Sequence, residues 1–253
     1  MTLPIPSVRA EDLTWTEFEN RAPTVPYWLI VTGSVEQHGP HLPLSADTLV
    51  VERAAELLAA RHGALSLPTI RTGVLHAFQD WPGGGRVAPQ TLISLVVELA
   101  SGIGAYRNRL LLLNGHDENH ESLMIAARQL VNEHGTDVVV VEWAELVSDV
   151  IREVSSSTSE AHAGEGLTSV FLHWFPEHVR TERIAAGVPA RGGVTQDDLH
   201  VAKRAHLPAR LSRRDVPSGV IGDPRPATAE KGQAIAQSLV DRLELLVKEQ
   251  GWL

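Results

Sequence analysis

The chain has no cysteine among its 253 residues. Disulfides and thiolate metal sites are therefore excluded, and any metal must bind to histidine, carboxylate or water. No apolar run is long enough to span a membrane, and residues 1–6 lack the basic region and apolar core of a signal peptide. Positive charge is also scarce, because 22 Lys and Arg against 31 Asp and Glu leave a net charge of -9. Nucleic acid and anionic membranes are disfavoured as partners, and we expect a cytoplasmic enzyme or binding protein.

The length and the 43% apolar content are sufficient for a full hydrophobic core, and we expect a single domain over residues 1–253. Strand-like apolar runs alternate with segments of helical periodicity. The predicted strands cover residues 27–31, 65–70, 110–113 and 138–141, and the predicted helices cover 46–60, 89–102, 121–133 and 228–248. This alternation predicts an α/β fold with a mostly parallel sheet and helices on both faces. Residues 155–226 show no regular pattern, and residues 73–89 form a predicted Gly-rich loop.

Residues that commonly bind metals follow the first predicted strand, in the segment Gly-Ser-Val-Glu-Gln-His-Gly-Pro-His at positions 33–41. Glu36 and His38 are two residues apart, so in extended backbone their side chains point the same way. Asp47 follows shortly afterwards, and its two carboxylate oxygens could bridge two cations. The alternative is that Glu36 and Asp47 are solvated loop residues, with Asp47 capping the helix that follows.

A second such segment, Asn-Gly-His-Asp-Glu-Asn-His at positions 114–120, follows the third predicted strand. His116 and Glu118 repeat the two-residue spacing. Ligands of open parallel sheets bind beyond the carboxyl ends of the strands, where both segments would meet. Two cations bound there would lower the pKa of a bridging water and polarise a carbonyl oxygen. The sequence therefore predicts a hydrolytic two-metal centre.

A third segment, Glu-Ala-His-Ala-Gly-Glu at positions 160–165, contains two candidate catalytic residues. His162 could donate a proton to a leaving nitrogen, and Glu165 could be a metal ligand or a general base. The segment could equally be a helix N-terminus with Glu165 in the first turn. Trp81, Asp117 and Trp143 are the candidate substrate contacts, although tryptophans are most often core or wall residues.

Two common catalytic motifs do not fit the sequence. Ser34 lacks the flanking glycines of a nucleophile elbow, which disfavours a serine hydrolase. The glycines at positions 83–85 are not followed by the Lys-Ser/Thr of a phosphate-binding loop.

The segment at positions 33–44, followed by Asp47, resembles the hallmark of the creatininase (creatinine amidohydrolase) family. Asn-Gly-His at 114–116 resembles the second motif of that family, and His-Ala-Gly-Glu at 162–165 with Thr168 and Ser169 resembles the third. Gly-Val-Ile-Gly-Asp-Pro at 219–224 and Ala-Thr-Ala-Glu-Lys-Gly at 227–232 resemble its C-terminal segment. The resemblance extends over nearly the whole chain.

The resemblance implies a three-layer α/β/α sandwich, a homo-oligomer that is usually a hexamer, and two divalent ions of zinc, manganese or iron. It places Glu36 and His116 on one metal, His38 and a further glutamate on the other, and Asp47 between them. That further glutamate is Glu118, with Glu165 as the second choice. The implied activity is hydrolysis of a C–N bond in a small cyclic amide, lactam or formamide, by a hydroxide bridging the two metals.

Three departures from true creatininases affect the expected substrate. Ala161, Thr158 and Leu167 stand where the resemblance predicts an acidic residue, a tryptophan and a glutamate. The ligand set is thus present while the creatinine-binding residues are not. Two alternatives follow: a peptidase that trims a modified peptide in cofactor or natural-product maturation, and a catalytically silent member that only binds a ligand.

Overall fold

The computed structural model describes residues 7–106, 108–191, 198–200 and 210–253. The segment at 1–6, interpreted above as lacking a signal peptide, lies outside the described residues. So do residues 192–197 and 201–209 of the region predicted to be irregular.

The central sheet has four parallel strands in the order β2-β1-β3-β4. The strands are β1 (Trp28–Thr32), β2 (Leu65–Ser66), β3 (Arg109–Asn114) and β4 (Asp137–Glu142). In the register of the two central strands, Leu29 lies opposite Leu111 and Thr32 opposite Asn114. The strand ends that precede the two ligand-rich segments are therefore adjacent, as the sequence predicted.

Helices pack on both faces of this sheet. They are α1 (Trp15–Arg21), α2 (Ala46–His62), α3 (Pro89–Ser101), α4 (His120–His134), α5 (Trp143–Leu146), α6 (Ser148–Val154), α7 (Glu165–Trp174) and α8 (Ala229–Glu249). Side chains of α2, α7 and α8 share one hydrophobic core, and those of α3 and α4 share the other. In the described part of the chain, no helix is long and apolar enough to cross a bilayer.

Alternate residues of the central strands enter opposite cores. Leu29 and Leu111 lie in the core with α2, α7 and α8, whereas Ile30 and Leu112 lie in the core with α3 and α4. All four side chains are fully buried. A parallel strand covered on both faces needs apolar residues at every position, which explains the uninterrupted runs in the sequence. The predicted α/β sandwich with a mostly parallel sheet is confirmed.

Two local differences from the sequence predictions have physical causes. Strand β2 ends at Ser66 rather than continuing to residue 70, because the ladder becomes irregular: after the bond from Leu67 N to Leu29 O, the next bond to β1 comes only from Ile70 N to Val31 O. The region predicted to be irregular contains α7 and a small antiparallel hairpin, β5 (Glu160–His162) with β6 (Ile221–Gly222). The sequence offered only a possible helix start at Glu165 and no bounds for α7. Its residues from Glu165 to Phe171 are all buried, so no polar stripe marks a helical period.

Candidate metal centre

The site forms where β1, β3 and the first turn of α2 meet. Two glycines allow α2 to lie close to the ends of these strands. A Cβ on Gly115 would lie 2.2 Å from the carbonyl oxygen of Asp47, and one on Gly33 would lie 2.2 Å from Thr48 Oγ1. Any larger residue at either position would push α2 away from the strand ends. The two glycines therefore bring Asp47 to the edge where Glu36 and His116 lie.

Asp47 lies between two histidines from separate segments. Its Oδ1 is 2.8 Å from His38 Nε2, and its Oδ2 is 3.1 Å from His116 Nδ1. Ser34 Oγ donates a hydrogen bond of 2.7 Å to Oδ2. Each of these side chains is buried. The alternative in which Asp47 is a solvated helix cap does not match this geometry, because Asp47 lies within the helix and accepts from side chains.

Glu36 lies at the centre of the cluster. Its Oε1 is 3.2 Å from His116 Nδ1 and 4.0 Å from both His38 Nε2 and His162 Nδ1. Two groups with ligand geometry result, both containing Glu36: one with Asp47 and His116, the other with His38 and His162. Within each group, one ligand atom per residue lies within 4.8 Å of every other.

The second oxygen of Glu36, Oε2, is buried and has no hydrogen-bond partner in the structure. An unpaired buried carboxylate oxygen is costly unless a cation or a donor compensates it. The nitrogen and oxygen donors around it are those that zinc and manganese accept. The residues of the cluster therefore fit a divalent cation.

Burial and neighbouring charge act in opposite directions on the ligand pKa values. Burial lowers the pKa of His116, but Glu36 and Asp47 raise it well above its usual value. Burial likewise lowers the pKa of His38, but Asp47 and Glu36 together raise it above its usual value. Burial raises the pKa of Asp47, yet the two histidines take it well below its usual value. Burial raises the pKa of Glu36, which His116 only partly offsets. Without metal, mutual attraction thus favours the charged forms of His38, His116 and Asp47, whereas burial favours the neutral form of Glu36.

Backbone groups outside the cluster orient its imidazoles. His116 Nε2 lies 2.7 Å from the carbonyl oxygen of Val74, which directs Nδ1 towards Asp47 and Glu36. Asn119 Nδ2 donates to the carbonyl oxygen of Gly33 at 3.0 Å, and its Oδ1 accepts from Val74 N at 2.9 Å. The sequence analysis missed Val74 and Asn119. Orienting groups of this kind commonly affect metal affinity about 10–100-fold.

Glu118 lies next to His116 but outside both ligand groups. Its oxygens accept hydrogen bonds of 2.7 and 2.9 Å from the backbone amides of His76 and Ala77, and Oε2 is 3.7 Å from His116 Nε2. The carboxylate thus connects the second ligand segment to the Gly-rich loop.

His162 lies in a column of four rings that covers the cluster. It stacks on His38 at a centroid distance of 4.6 Å, and Phe78 packs on it at 4.3 Å. Trp81 meets Phe78 edge-on at 5.3 Å, one ring further from the metal ligands. Burial and the positive charge of His38 lower the pKa of His162 to about 3. The imidazole is therefore neutral, and Phe78 is a site residue that the sequence analysis missed.

The structure places the other two candidate substrate contacts differently. Asp117 is exposed, directly beside His116. Trp143 is buried in the hydrophobic core. Leu167, at the position where the resemblance predicts a glutamate, is also part of this core.

Glu165 lies outside both ligand groups, in the first turn of α7. The backbone amides of Ser156 and Ser157 donate to its oxygens at 2.7–3.0 Å, and Lys231 Nζ lies 2.5 Å from Oε1. Only 1% of the Glu165 side chain is exposed. These contacts match the alternative in which Glu165 belongs to the first turn of a helix. Its carboxylate neutralises Lys231 and accepts hydrogen bonds from the two backbone amides.

Replacing Glu165 by glutamine should therefore destabilise the protein and leave its metal content unchanged. Removing one partner of a buried ion pair leaves the other uncompensated, which costs about 3 kcal/mol at the lower end of the usual range; the lower end applies because 20% of the Lys231 side chain is exposed. Urea unfolding and elemental analysis would measure both. Glu98→Gln, on the exposed side of α3, is the matched control. Metal loss from a folded Glu165→Gln protein would instead identify Glu165 as a ligand.

Comparisons with known proteins agree with this geometry. A family model described as creatininase, creatinine amidohydrolase, matches residues 11–247. A mycofactocin precursor peptide peptidase of Mycobacterium ulcerans is 36% identical over 231 residues, which cover 86% of this chain and 83% of that protein. A creatinine amidohydrolase of Pseudomonas putida is 28% identical, covering 96% of this chain and 97% of that protein. A solved manganese form of creatininase superimposes with a TM-score of 0.77 at 27% identity, covering 96% of this chain and 98% of that one.

Proposed function

This chain belongs to the creatininase family of hydrolases, and we propose that it is a divalent-metal-dependent peptidase that cleaves an amide C–N bond of a precursor peptide. The observation that most supports metal dependence is the buried cluster around Glu36, with an unpartnered carboxylate oxygen beside two histidines and Asp47. The peptide substrate is supported by the 36% identity to a mycofactocin precursor peptide peptidase. This differs from the small cyclic amide that the sequence resemblance favoured.

Five residues of the two groups would hold the metal. Glu36, Asp47 and His116 form one set of ligands, and Glu36, His38 and His162 form the other. Glu118, predicted from the sequence as the fifth ligand, would need to leave the loop amides to join them. A bound divalent cation supplies an acidic water and polarises the scissile carbonyl.

The protein's own side chains would move the proton. His162 is neutral, and its Nδ1 lies 4.0 Å from Glu36 Oε1 at the face of the cluster. Because Nε2 is hydrogen-bonded to the carbonyl of Gln37, Nδ1 has the only free lone pair, which can either bind a cation or accept a proton. His162 would therefore carry a proton from the attacking water to the leaving nitrogen only while it is not a metal ligand, and its low pKa makes it a weak base. Phe78 covers the opposite face of the imidazole, which keeps bulk water from that side.

A small cyclic amide, lactam or formamide is the second candidate substrate. It is supported by the 28% identity to a creatinine amidohydrolase. Against creatinine itself stands Leu167, whose apolar side chain packs in the core where the resemblance predicts a carboxylate. A silent ligand-binding protein is the third alternative, and the buried unpartnered oxygen argues against it because such a group is costly to keep without a cation.

One experiment separates these candidates. Protein purified without chelator is analysed for metal, then assayed as zinc-loaded, manganese-loaded and chelator-stripped samples. The substrates are a panel of peptides, including a mycofactocin precursor peptide, alongside creatinine, lactams and formamides. We expect a new peptide terminus by mass spectrometry only in the loaded samples, with activity restored when metal is returned. Hydrolysis confined to the small amides would favour the second candidate, and a protein that neither binds metal after reconstitution nor hydrolyses any substrate would favour the silent protein.

Three expectations about organisation stay predictions. They are a single domain over residues 1–253, a cytoplasmic location, and a homo-oligomer that is hexameric by family resemblance. The described surface does expose large apolar side chains on the outer helices, including Ile125 and Val131 of α4. Light scattering at several protein concentrations would test the oligomeric state.

A further inference from the structure

Gln37 lies between the two predicted ligands Glu36 and His38, and its buried amide has two backbone partners. Oε1 accepts from the backbone N–H of Gly39 at 2.9 Å, and Nε2 donates to the carbonyl oxygen of Gly219 at 2.8 Å. Only one orientation of the amide satisfies both partners, because a flipped amide would place its NH₂ group against an N–H and its oxygen against a carbonyl. The side chain is therefore fixed at both ends.

The partner at Gly219 connects Gln37 to a distant part of the chain. Gly219 has a φ of +77°, and a Cβ there would lie 1.8 Å from Gln37 Oε1, so the backbone packs directly on the amide. Two residues later begins β6, whose Ile221 pairs with His162 of β5. The side chain of Gln37 thus joins the first ligand segment to the hairpin that contains His162.

The main chain of Gln37 determines which nitrogen of His162 is protonated. His162 Nε2 lies 2.7 Å from the carbonyl oxygen of Gln37 and 3.1 Å from its side-chain Nε2. An unprotonated nitrogen at 2.7 Å from a carbonyl would place two lone pairs against each other. The amide nitrogen at 3.1 Å can only donate and favours the opposite tautomer, but the carbonyl oxygen is nearer. We therefore place the hydrogen on Nε2, which donates it to the carbonyl. In a neutral imidazole Nδ1 is then unprotonated, and this nitrogen lies 4.0 Å from Glu36 Oε1.

We propose that Gln37 is a positioning residue that holds its own carbonyl against His162 Nε2 and so keeps His162 in the Nε2–H tautomer. The proposal rests on the proposed function, because only that tautomer presents a lone pair to the ligand group. The other tautomer would point a hydrogen at Glu36 and could neither bind a cation nor accept a proton there. Metal-site histidines are commonly fixed in this way by a carbonyl on the other nitrogen.

The test is a nitrogen NMR spectrum of metal-free protein labelled with ¹⁵N-histidine. The His162 signals are assigned by their absence in His162→Gln. We expect a protonated Nε2 and an unprotonated Nδ1 in the wild type, and a mixture of tautomers in Gln37→Met, which has similar volume but cannot donate to Gly219. Zinc affinity, measured by chelator competition, should fall about 10–100-fold in Gln37→Met. Gln129→Met, half-exposed on α4 and outside both ligand groups, is the control and should match the wild type in both measurements.

The wild-type spectrum is decisive even when Gln37→Met does not fold, because a proton on Nδ1 of wild-type His162 would overturn the proposal. So would a folded Gln37→Met protein with the wild-type tautomer, or one with a mixture of tautomers and undiminished zinc affinity. The spectrum needs neither metal nor substrate. A wild type with the expected tautomer that binds no zinc would contradict the proposed function and not the positioning of His162.

Discussion

Glu36→Gln is expected to abolish hydrolysis and to release most of the bound metal. Glu36 belongs to both ligand groups, and its Oε2 is the buried oxygen without a partner. An amide presents one neutral acceptor where the carboxylate presents two charged ones. We expect the turnover of the metal-loaded enzyme to fall by at least about 10³-fold, beyond the 10–100-fold typical of residues that only orient a ligand.

Elemental analysis and peptide cleavage would measure this change, with Glu98→Gln as the control at an exposed position. Unfolding in urea would be followed on metal-free samples. The metal-free variant should remain folded, because Asp47 still pairs with His116 when the Glu36 carboxylate is removed. A folded Glu36→Gln protein with full metal content and activity would contradict the assignment of Glu36 as a ligand.

Metal affinity is expected to rise steeply with pH. The carboxylates of Asp47 and Glu36 raise the pKa values of His38 and His116 above 6.5 in the metal-free protein, although burial opposes them. The raised pKa values extend the protonated forms of both imidazoles to higher pH than usual, and a cation can bind there only if it displaces those protons. Each displaced proton gives an increase of about tenfold per pH unit, so the affinity should rise by up to about 100-fold per unit when both are displaced. The rise should level off once the pH exceeds the raised pKa values.

Competition with a chelator of known pH dependence, between pH 6 and 9, would measure the slope. His120→Gln is the matched control: Glu142 raises the pKa of His120 too, but His120 lies outside both ligand groups. Its slope should equal that of the wild type. An affinity independent of pH would show that neither His38 nor His116 gives up a proton to the metal.

The sequence was sufficient to predict the layers of the fold and the kinds of residue in the site. The runs that became β1 and β3 are apolar at every position, because each face of a buried parallel strand meets a helix layer. The polar segments at 33–41 and 114–120 follow those strands, so the topology alone brings them to one edge of the sheet. Residue type and strand order can be inferred from the sequence, and they indicated candidate metal ligands without knowledge of any contact.

The partner of each carboxylate and imidazole was decided only by the tertiary structure. Glu165 and Glu118 have the same chemistry as Glu36, but Lys231 neutralises the first and the amides of the 73–89 loop hold the second. The tautomer of His162 depends on the carbonyl of Gln37, 125 positions away in the sequence. Such contacts depend on the paths of loops and the directions of side chains, which have no periodic pattern. The ligand-rich segments could therefore be predicted from the sequence, whereas the partners of their side chains could not.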